Sequence, residues 1–206
     1  MIPSFSWAAC SGASPNLTAA SCAAIDIRDC IAVARSGDTI HVPEGVCTWT
    51  DSVAGTRGKA SVAINKSNII LKGAGTQKTI INVRHDGWRA GGGILIQGGI
   101  DQVGVTGFTF DGGSTDTNLY QAIVIGDHGT RNGATNFRIH HNKFQNYGSL
   151  NNQGRSAFVI ESFGYSYGVI DNNQFVDTRG EVIYLNGDGT AAYSRMPILG
   201  GYTNGT

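Results

Sequence analysis

The sequence predicts an all-β solenoid, a stack of strand-built coils with a short helix over the first coil. Three observations predict it. First, Asn136 to Phe144 (NFRIHHNKF) has one echo upstream at Val103 to Phe110 (VGVTGFTF) and one downstream at Gly168 to Phe175 (GVIDNNQF). Each is a short alternating run that ends in Phe. Phe110, Phe144 and Phe175 stand 34 and 31 residues apart, the loose period of a stacked repeat. Second, another set of runs lies between these: Ile94-Leu95-Ile96, Ile123-Val124-Ile125, Phe158-Val159-Ile160 and Ile183-Tyr184-Leu185. They are β-branched or aromatic and are bounded by Gly, Asp, Asn or Ser, the strand signature. Two strand families therefore alternate, and one coil carries one member of each. Third, 30 glycines among 206 residues, with 15% charged residues, suit a turn-rich β-protein. A single coil cannot bury its own apolar face, so stacking closes the core.

Residues 1–37 read as a cap segment and residues 38–206 as the solenoid. The first 24 residues look irregular, rich in Ser and Ala. Asp26 to Arg35 places Ile27, Ile31 and Ala34 at helical spacing. Asp26 stands near its start as a capping candidate and Gly37 lies just past its end. Strands follow at Asp38 to Val42, Val46 to Thr50, Ser61 to Ile64, Asn68 to Leu71 and Thr79 to Val83. Pro43-Glu44-Gly45 and Gly73-Ala74-Gly75 are the turns between them. From Gly91 to Gly93 onward the two families alternate as far as Leu185. The chain ends in YTNGT with no C-terminal cap in view. An open last coil, and self-association through its unpaired strand edges, are therefore expected.

With 15 basic and 15 acidic residues there is no electrostatic case for nucleic acid or an anionic membrane. No apolar run approaches the roughly 20 residues of a membrane span. The opening MIPSFSW lacks a basic segment followed by an apolar one, so it does not read as a signal peptide. Cys10, Cys22, Cys30 and Cys47 all fall near the N-terminus, and an even, clustered set reads as two disulfides. That implies an oxidising compartment, secreted or at the cell surface. Several pairings are open; Cys22 with Cys47 and Cys10 with Cys30 is the preferred one.

The stretches GDTIHVPEGVCTWT, INKSNIILKGAGTQKTIINV, GFTFDGG, RIHHNKF and GVIDNNQF resemble the right-handed, single-stranded parallel β-helix proteins of the pectate-lyase-like superfamily. The likeness extends over about residues 22–190. It is similar in particular to bacterial extracellular β-helix repeat proteins. The resemblance implies the coil-packing fold and association with polysaccharide. The pectate lyase motif reads roughly WIDH. Here the matching positions are Arg138-Ile139-His140-His141 and Val169-Ile170-Asp171-Asn172, so the Trp is absent and the Asp and His stand on different coils. Catalytic roles are not carried over on this basis.

Stacked coils set equivalent residues about 4.8 Å apart in columns. Alignment on the closing Phe puts Leu71, Val105, Ile139 and Ile170 inward. Lys72, Thr106, His140 and Asp171 then face outward, and Gly73, Gly107, His141 and Asn172 come next. Asn142 and Asn173 form a short inward Asn ladder, and Lys143 and Gln174 share an outward column. In the second family Ile94, Ile123, Phe158 and Ile183 point inward, as do Ile96, Ile125, Ile160 and Leu185. Leu95, Val124, Val159 and Tyr184 form an apolar outward column that calls for a cover of loops or of another chain. Gln97, Gly126, Glu161 and Asn186 lie just beyond.

His140 beside Asp171 is the candidate base with an orienting carboxylate. His141 and Asn172 widen that polar patch. For a lyase acting on uronates, Arg179 or Lys143 is the candidate base. Glu161, Asp177, Glu181 and Asp188 supply the carboxylates that glycoside hydrolysis needs, and their oxygens leave Ca²⁺ open as a cofactor. Asp127, His128 and Arg131 read as a solvated turn. The candidate set is thus His140, Asp171 and Arg179 for chemistry and His141, Lys143, Asn172 and Glu161 for substrate. Two readings stand side by side. One is an extracellular β-helix that binds or cleaves an acidic glycan as a lyase or hydrolase. The other is a non-catalytic structural or adhesive module, tailspike-like or assembled head to tail.

Overall fold

The computed structural model describes residues 10–50, 60–84, 92–113, 121–148, 158–179 and 182–186. The late carboxylates Glu181 and Asp188, and the final residues YTNGT, lie outside the described residues. The chain opens with β1 (Cys10–Ala13) and β2 (Asn16–Ala19), an antiparallel hairpin where the sequence reads as irregular. The hairpin finds its partner in the solenoid, because β2 pairs in parallel with the first coil. Helix α1 (Ala24–Val33) follows, two residues earlier than its sequence pattern indicates. Asp26 is not its N-cap: Ala23 holds that position with extended backbone. Asp26 lies in the first turn and accepts a hydrogen bond from the Ser21 hydroxyl at 2.5 Å. Ile27, Cys30 and Ile31 face the core. Disulfides join Cys10 to Cys30 and Cys22 to Cys47, tying the hairpin to the helix and the helix entry to the first coil.

Each coil has three strands rather than two. The first holds β3 (Thr39–Val42), β4 (Gly45–Trp49) and β5 (Val62–Ile64). The second holds β6 (Ile70–Gly73), β7 (Thr79–Val83) and β8 (Gly92–Ile96). The third holds β9 (Gly104–Thr106), β10 (Thr109–Asp111) and β11 (Gln121–Ile125). The fourth holds β12 (Thr135–His140), β13 (Lys143–Gln145) and β14 (Ile160–Phe163). The fifth holds β15 (Tyr167–Asp171), β16 (Gln174–Val176) and β17 (Ile183–Asn186). Apart from the antiparallel β1, like strands stack in parallel into sheet A (β1-β2-β3-β6-β9-β12-β15), sheet B (β4-β7-β10-β13-β16) and sheet C (β5-β8-β11-β14-β17). Runs such as RIHHNKF are therefore two strands with a sharp bend between them. Gly107, His141 and Asn172 make that bend with φ of 80°, 53° and 53°. This left-handed region suits Gly and is tolerated by Asn and His.

The inward column of sheet A runs Ile40, Leu71, Val105, Ile139 and Ile170, stepping by 31, 34, 34 and 31 residues. All five are buried. In sheet B, Phe110, Phe144 and Phe175 are direct register partners. Their rings stack with centroids 5.5 and 5.1 Å apart. At the bend, Asn142 and Asn173 turn inward as a ladder. Asn142 Nδ2 donates to the Val105 carbonyl at 3.0 Å and to Asn173 Oδ1 at 3.2 Å, and Asn142 Oδ1 accepts from Phe108 N–H at 3.1 Å. Asn173 Nδ2 repeats the bond to the Ile139 carbonyl, at 2.8 Å. These amides satisfy backbone groups that the bend removes from the strand ladder.

Sheet C departs from the expected register. Ile123 pairs with Ile160, not with Phe158, and Ile125 pairs with Ser162. Val124 therefore neighbours Glu161, and Phe163 rather than Glu161 stands beside Gly126. The Ala122 and Ile123 N–H groups both donate to the Val159 carbonyl, a bulge that absorbs the difference. Phe158 instead stacks on Tyr184 with centroids 4.4 Å apart. On the outer side, Leu95 and Val124 are only 2% and 1% exposed, packed with Ala60 and Phe163. Leu95 and Val124 of the expected outward column are thus covered within one chain, whereas Val159 turns into the main core at the bulge and Tyr184 is half-buried.

Candidate functional site

The outer face of sheet A carries two rows of side chains. Register pairing aligns Thr18, His41, Lys72, Thr106, His140 and Asp171 in one row. Strand alternation places Asn16, Thr39, Ile70, Gly104, Arg138 and Val169 in the row beside it. The third coil contributes only Gly104 and Thr106. The coils on either side contribute Ile70 with Lys72 and Arg138 with His140. Ile70 packs onto Gly104 and buries it, so the short side chain of Thr106 between Lys72 and His140 leaves a shallow slot in the first row. Ile70 is 43% exposed at its edge. Lys72 is exposed and makes no ion pair among the described residues.

On the far side of the slot stands an ion pair that the sequence pattern did not single out. Arg138 Nε and Nη2 donate to Asp171 Oδ1 and Oδ2 at 3.0 and 2.8 Å, a two-pronged contact. Asn172 Nδ2 adds a bond to Asp171 Oδ2 at 2.8 Å. These donors, Arg138 foremost, hold the Asp171 carboxyl below its ordinary pKa, and Asp171 raises that of Arg138. The signal was present in the strand period: Arg138 lies two residues before His140, on the same face, diagonal to Asp171. Asp171 is therefore partnered by Arg138 rather than by His140. The Nδ1 of His140 lies 2.7 Å from that of His141 and 3.5 Å from Thr106 Oγ1. Partial burial first, and then the charges of Arg138 and His141, depress the His140 pKa, with Asp171 opposing them. These effects favour the neutral form of His140 over its imidazolium.

The structure brings His140, His141, Asp171 and Asn172 together on one corner. It does not bring the other candidates there. Lys143 lies past the bend on sheet B, between Thr109 and Gln174. Arg179 lies past sheet B, where its backbone N–H donates to the Tyr147 carbonyl at 2.8 Å. Glu161 lies on sheet C, 4% exposed, and accepts a hydrogen bond from Gln121 Nε2. Asp177 is exposed at the turn that follows β16. Among the described residues no group of three or more His, Cys, Asp or Glu side chains gathers as a metal cluster.

A second polar centre lies beside sheet B. Asp111 accepts from Gln145 at 2.6 Å, Asn146 at 2.8 Å, Arg84 at 3.2 Å and the Gly113 N–H at 2.8 Å. Burial pushes its pKa up, but these four donors together pull it below the ordinary value. With every lone pair engaged, Asp111 reads as a corner brace.

No family model matches the sequence, and no curated protein matches it. Among solved structures, the A-module of mannuronan C-5 epimerase AlgE6 from Azotobacter vinelandii is similar, with a TM-score of 0.51 at 16% identity. The match covers 75% of this chain and 46% of that one. The fold is a parallel β-helix. The chain spans less than half of the length of that neighbour, and the likeness at this identity shows the architecture alone. No helix among the described residues is long and apolar enough to cross a membrane. The two disulfides fit an oxidising compartment.

Proposed function

We propose that this chain is a secreted or cell-surface β-helix of the pectate-lyase-like kind that binds an acidic polysaccharide across the outer face of sheet A. The observation that carries the reading is the slot over Thr106, between Lys72 and His140. Lys72 on one rim offers an exposed ammonium to a sugar carboxylate. Ile70 offers apolar surface to the C–H face of a sugar ring. Arg138 and His140 on the other rim supply donors and an acceptor for hydroxyls. Equivalent side chains recur about every 4.8 Å along the stack, which suits a linear polymer laid over successive coils. The mannuronan in the neighbouring epimerase's name is itself an acidic polymer, and this supports the reading by analogy of fold. The reading is one of binding. Asp171 is engaged by Arg138, and Arg179 stands beyond sheet B from His140, so no bond-breaking step is assigned.

The test is affinity for polymannuronate and polygalacturonate against a neutral mannan, by calorimetry at two salt concentrations. Binding to the acidic polymers, weakened by salt, is expected. Lys72→Ala should lose about tenfold in affinity, the effect of one charge-assisted contact. Lys78→Ala, at an exposed lysine in the turn before β7, should change nothing. Equal affinity for the neutral polymer, or an unchanged Lys72→Ala protein, defeats the reading.

A further inference from the structure

The bend after β12 does something unusual with two consecutive residues. In a strand, neighbours point to opposite faces. His141 has φ of 53°, and this reversal brings its ring back beside that of His140. The equivalent bend positions are Gly107 and Asn172, so the backbone does not demand an imidazole there. The two Nδ1 atoms are 2.7 Å apart. The ring centroids are 5.0 Å apart and the rings nearly perpendicular, at 83°. The centroid separation exceeds the nitrogen separation by about one imidazole diameter. The two nitrogens therefore face each other nearly along the line of centres.

Two opposed imidazole nitrogens define a ligand class. Nitrogen donors select copper-like and zinc-like ions over Ca²⁺ and Mg²⁺, which take oxygen. Zinc prefers four tetrahedral ligands, whose bond directions converge on the ion. Here the directions oppose, and among the described residues no third His, Cys, Asp or Glu joins the pair. A two-coordinate ion needs nothing more. The Arg138 guanidinium stands close by, with its charge offset by Asp171, so a single positive charge is repelled less than a double one. With metal–nitrogen bonds of about 2 Å, a collinear bridge needs the nitrogens roughly 4 Å apart. His141 is exposed, so its ring can swing outward by the difference, roughly 1.3 Å, without disturbing the core.

We propose that His140 and His141 form a two-coordinate site for a soft monovalent cation with a filled d shell, Cu(I), held between the two Nδ1 atoms. The site shares the sheet A face with the polysaccharide slot but does not rest on that reading. All four cysteines are in disulfides, so no thiol competes for the ion.

Ag(I) is the redox-inert probe. Titration into the intact chain, followed by long-range ¹H–¹⁵N spectra of the histidine rings, should show one equivalent bound. The Nδ1 signals of His140 and His141 should move while Nε2 stays protonated. His141→Asn keeps a residue suited to the left-handed bend, as Asn172 shows, and should weaken Ag(I) at least tenfold. His140→Gln should do the same. His41→Gln, further along the same row, should leave Ag(I) binding unchanged. Zn²⁺ at the same concentration should leave both Nδ1 signals in place. Lys72→Ala should weaken polysaccharide binding and leave Ag(I) binding intact, which separates the two readings. The proposal is overturned if either histidine variant binds Ag(I) as the unaltered chain does, if Nε2 is the atom that moves, or if Zn²⁺ displaces Ag(I) from the pair.

Discussion

Replacing Asn142 with Ala tests whether the bend between sheets A and B is held by its amide ladder. Asn142 is 1% exposed and Phe108 is fully buried, so water does not reach either group. The substitution removes the acceptor of the Phe108 N–H and the donor to the Val105 carbonyl and Asn173 Oδ1. A net hydrogen bond is worth about 1 kcal/mol, and a buried N–H left without a partner costs about 1–3 kcal/mol. The expected loss is therefore about 3 kcal/mol. Urea unfolding with a slope of roughly 2 kcal/mol/M converts this to a midpoint shift of about 1.5 M at unchanged slope. Asn172→Gly is the companion. It keeps the left-handed bend, removes one exposed bond to Asp171, and should cost less than about 0.5 kcal/mol. A midpoint for Asn142→Ala within experimental error of the unaltered chain would refute the reasoning. So would a larger loss for Asn172→Gly.

Three further outcomes are expected. The double change Cys22→Ser with Cys47→Ser opens a loop with a sequence separation of 25 residues. The chain-entropy account assigns this about 3.5 kcal/mol, and thermal unfolding should fall by roughly 10 °C; a shift of only a degree or two would show that the helix entry is held to the first coil by packing instead. Lys66 Nζ donates to the Ala32 and Ala34 carbonyls at 2.6 and 2.9 Å, at the C-terminal end of α1. Lys66→Met should cost about 1 kcal/mol and speed amide exchange in the last helical turn ahead of the coils. Asp38, Asp101, Asp111 and Asp171 all have pKa values held below the ordinary carboxylate value by hydrogen-bond donors. A lowered folded pKa gives stability that is present above the unfolded value, about 3.9, and is lost as pH falls through the folded values. Thermal stability should therefore hold from neutrality down to about pH 5 and drop below about pH 4. A decline that begins near pH 6 would point to groups other than these carboxylates.

Much of the solenoid was legible in the chain because stacking repeats the same demand. Each coil must place an apolar side chain over its neighbour's, and Leu71, Val105, Ile139 and Ile170 record that demand at nearly constant spacing. The closing Phe residues record it again, and the aligned Asn142 and Asn173 mark the bend. The clustered cysteines announce two disulfides before any fold is drawn. The row Lys72, Thr106, His140 and Asp171 also follows from the alignment, since alternation decides its face.

What alternation cannot sense, only the tertiary structure decided. A register shift of two residues keeps Ile160 and Glu161 on their expected faces, and only the bulge exchanges Phe158 and Val159, turning Val159 into the core. The true partners of Ile160 and Glu161 in sheet C were therefore hidden until the bulge at Val159 was seen. A bend inside an alternating run leaves no gap in the hydrophobic pattern, so two strand families concealed three sheets. The opening hairpin had no strong pattern of its own; it is a strand because β3 offers an edge for it to join. The pairing of Arg138 with Asp171, and the meeting of His140 with His141, depend on diagonal reach and on one reversed φ angle. A linear sequence records which residues can share a face. Folding decides which of them touch, because contact depends on register and backbone curvature that side-chain polarity does not encode.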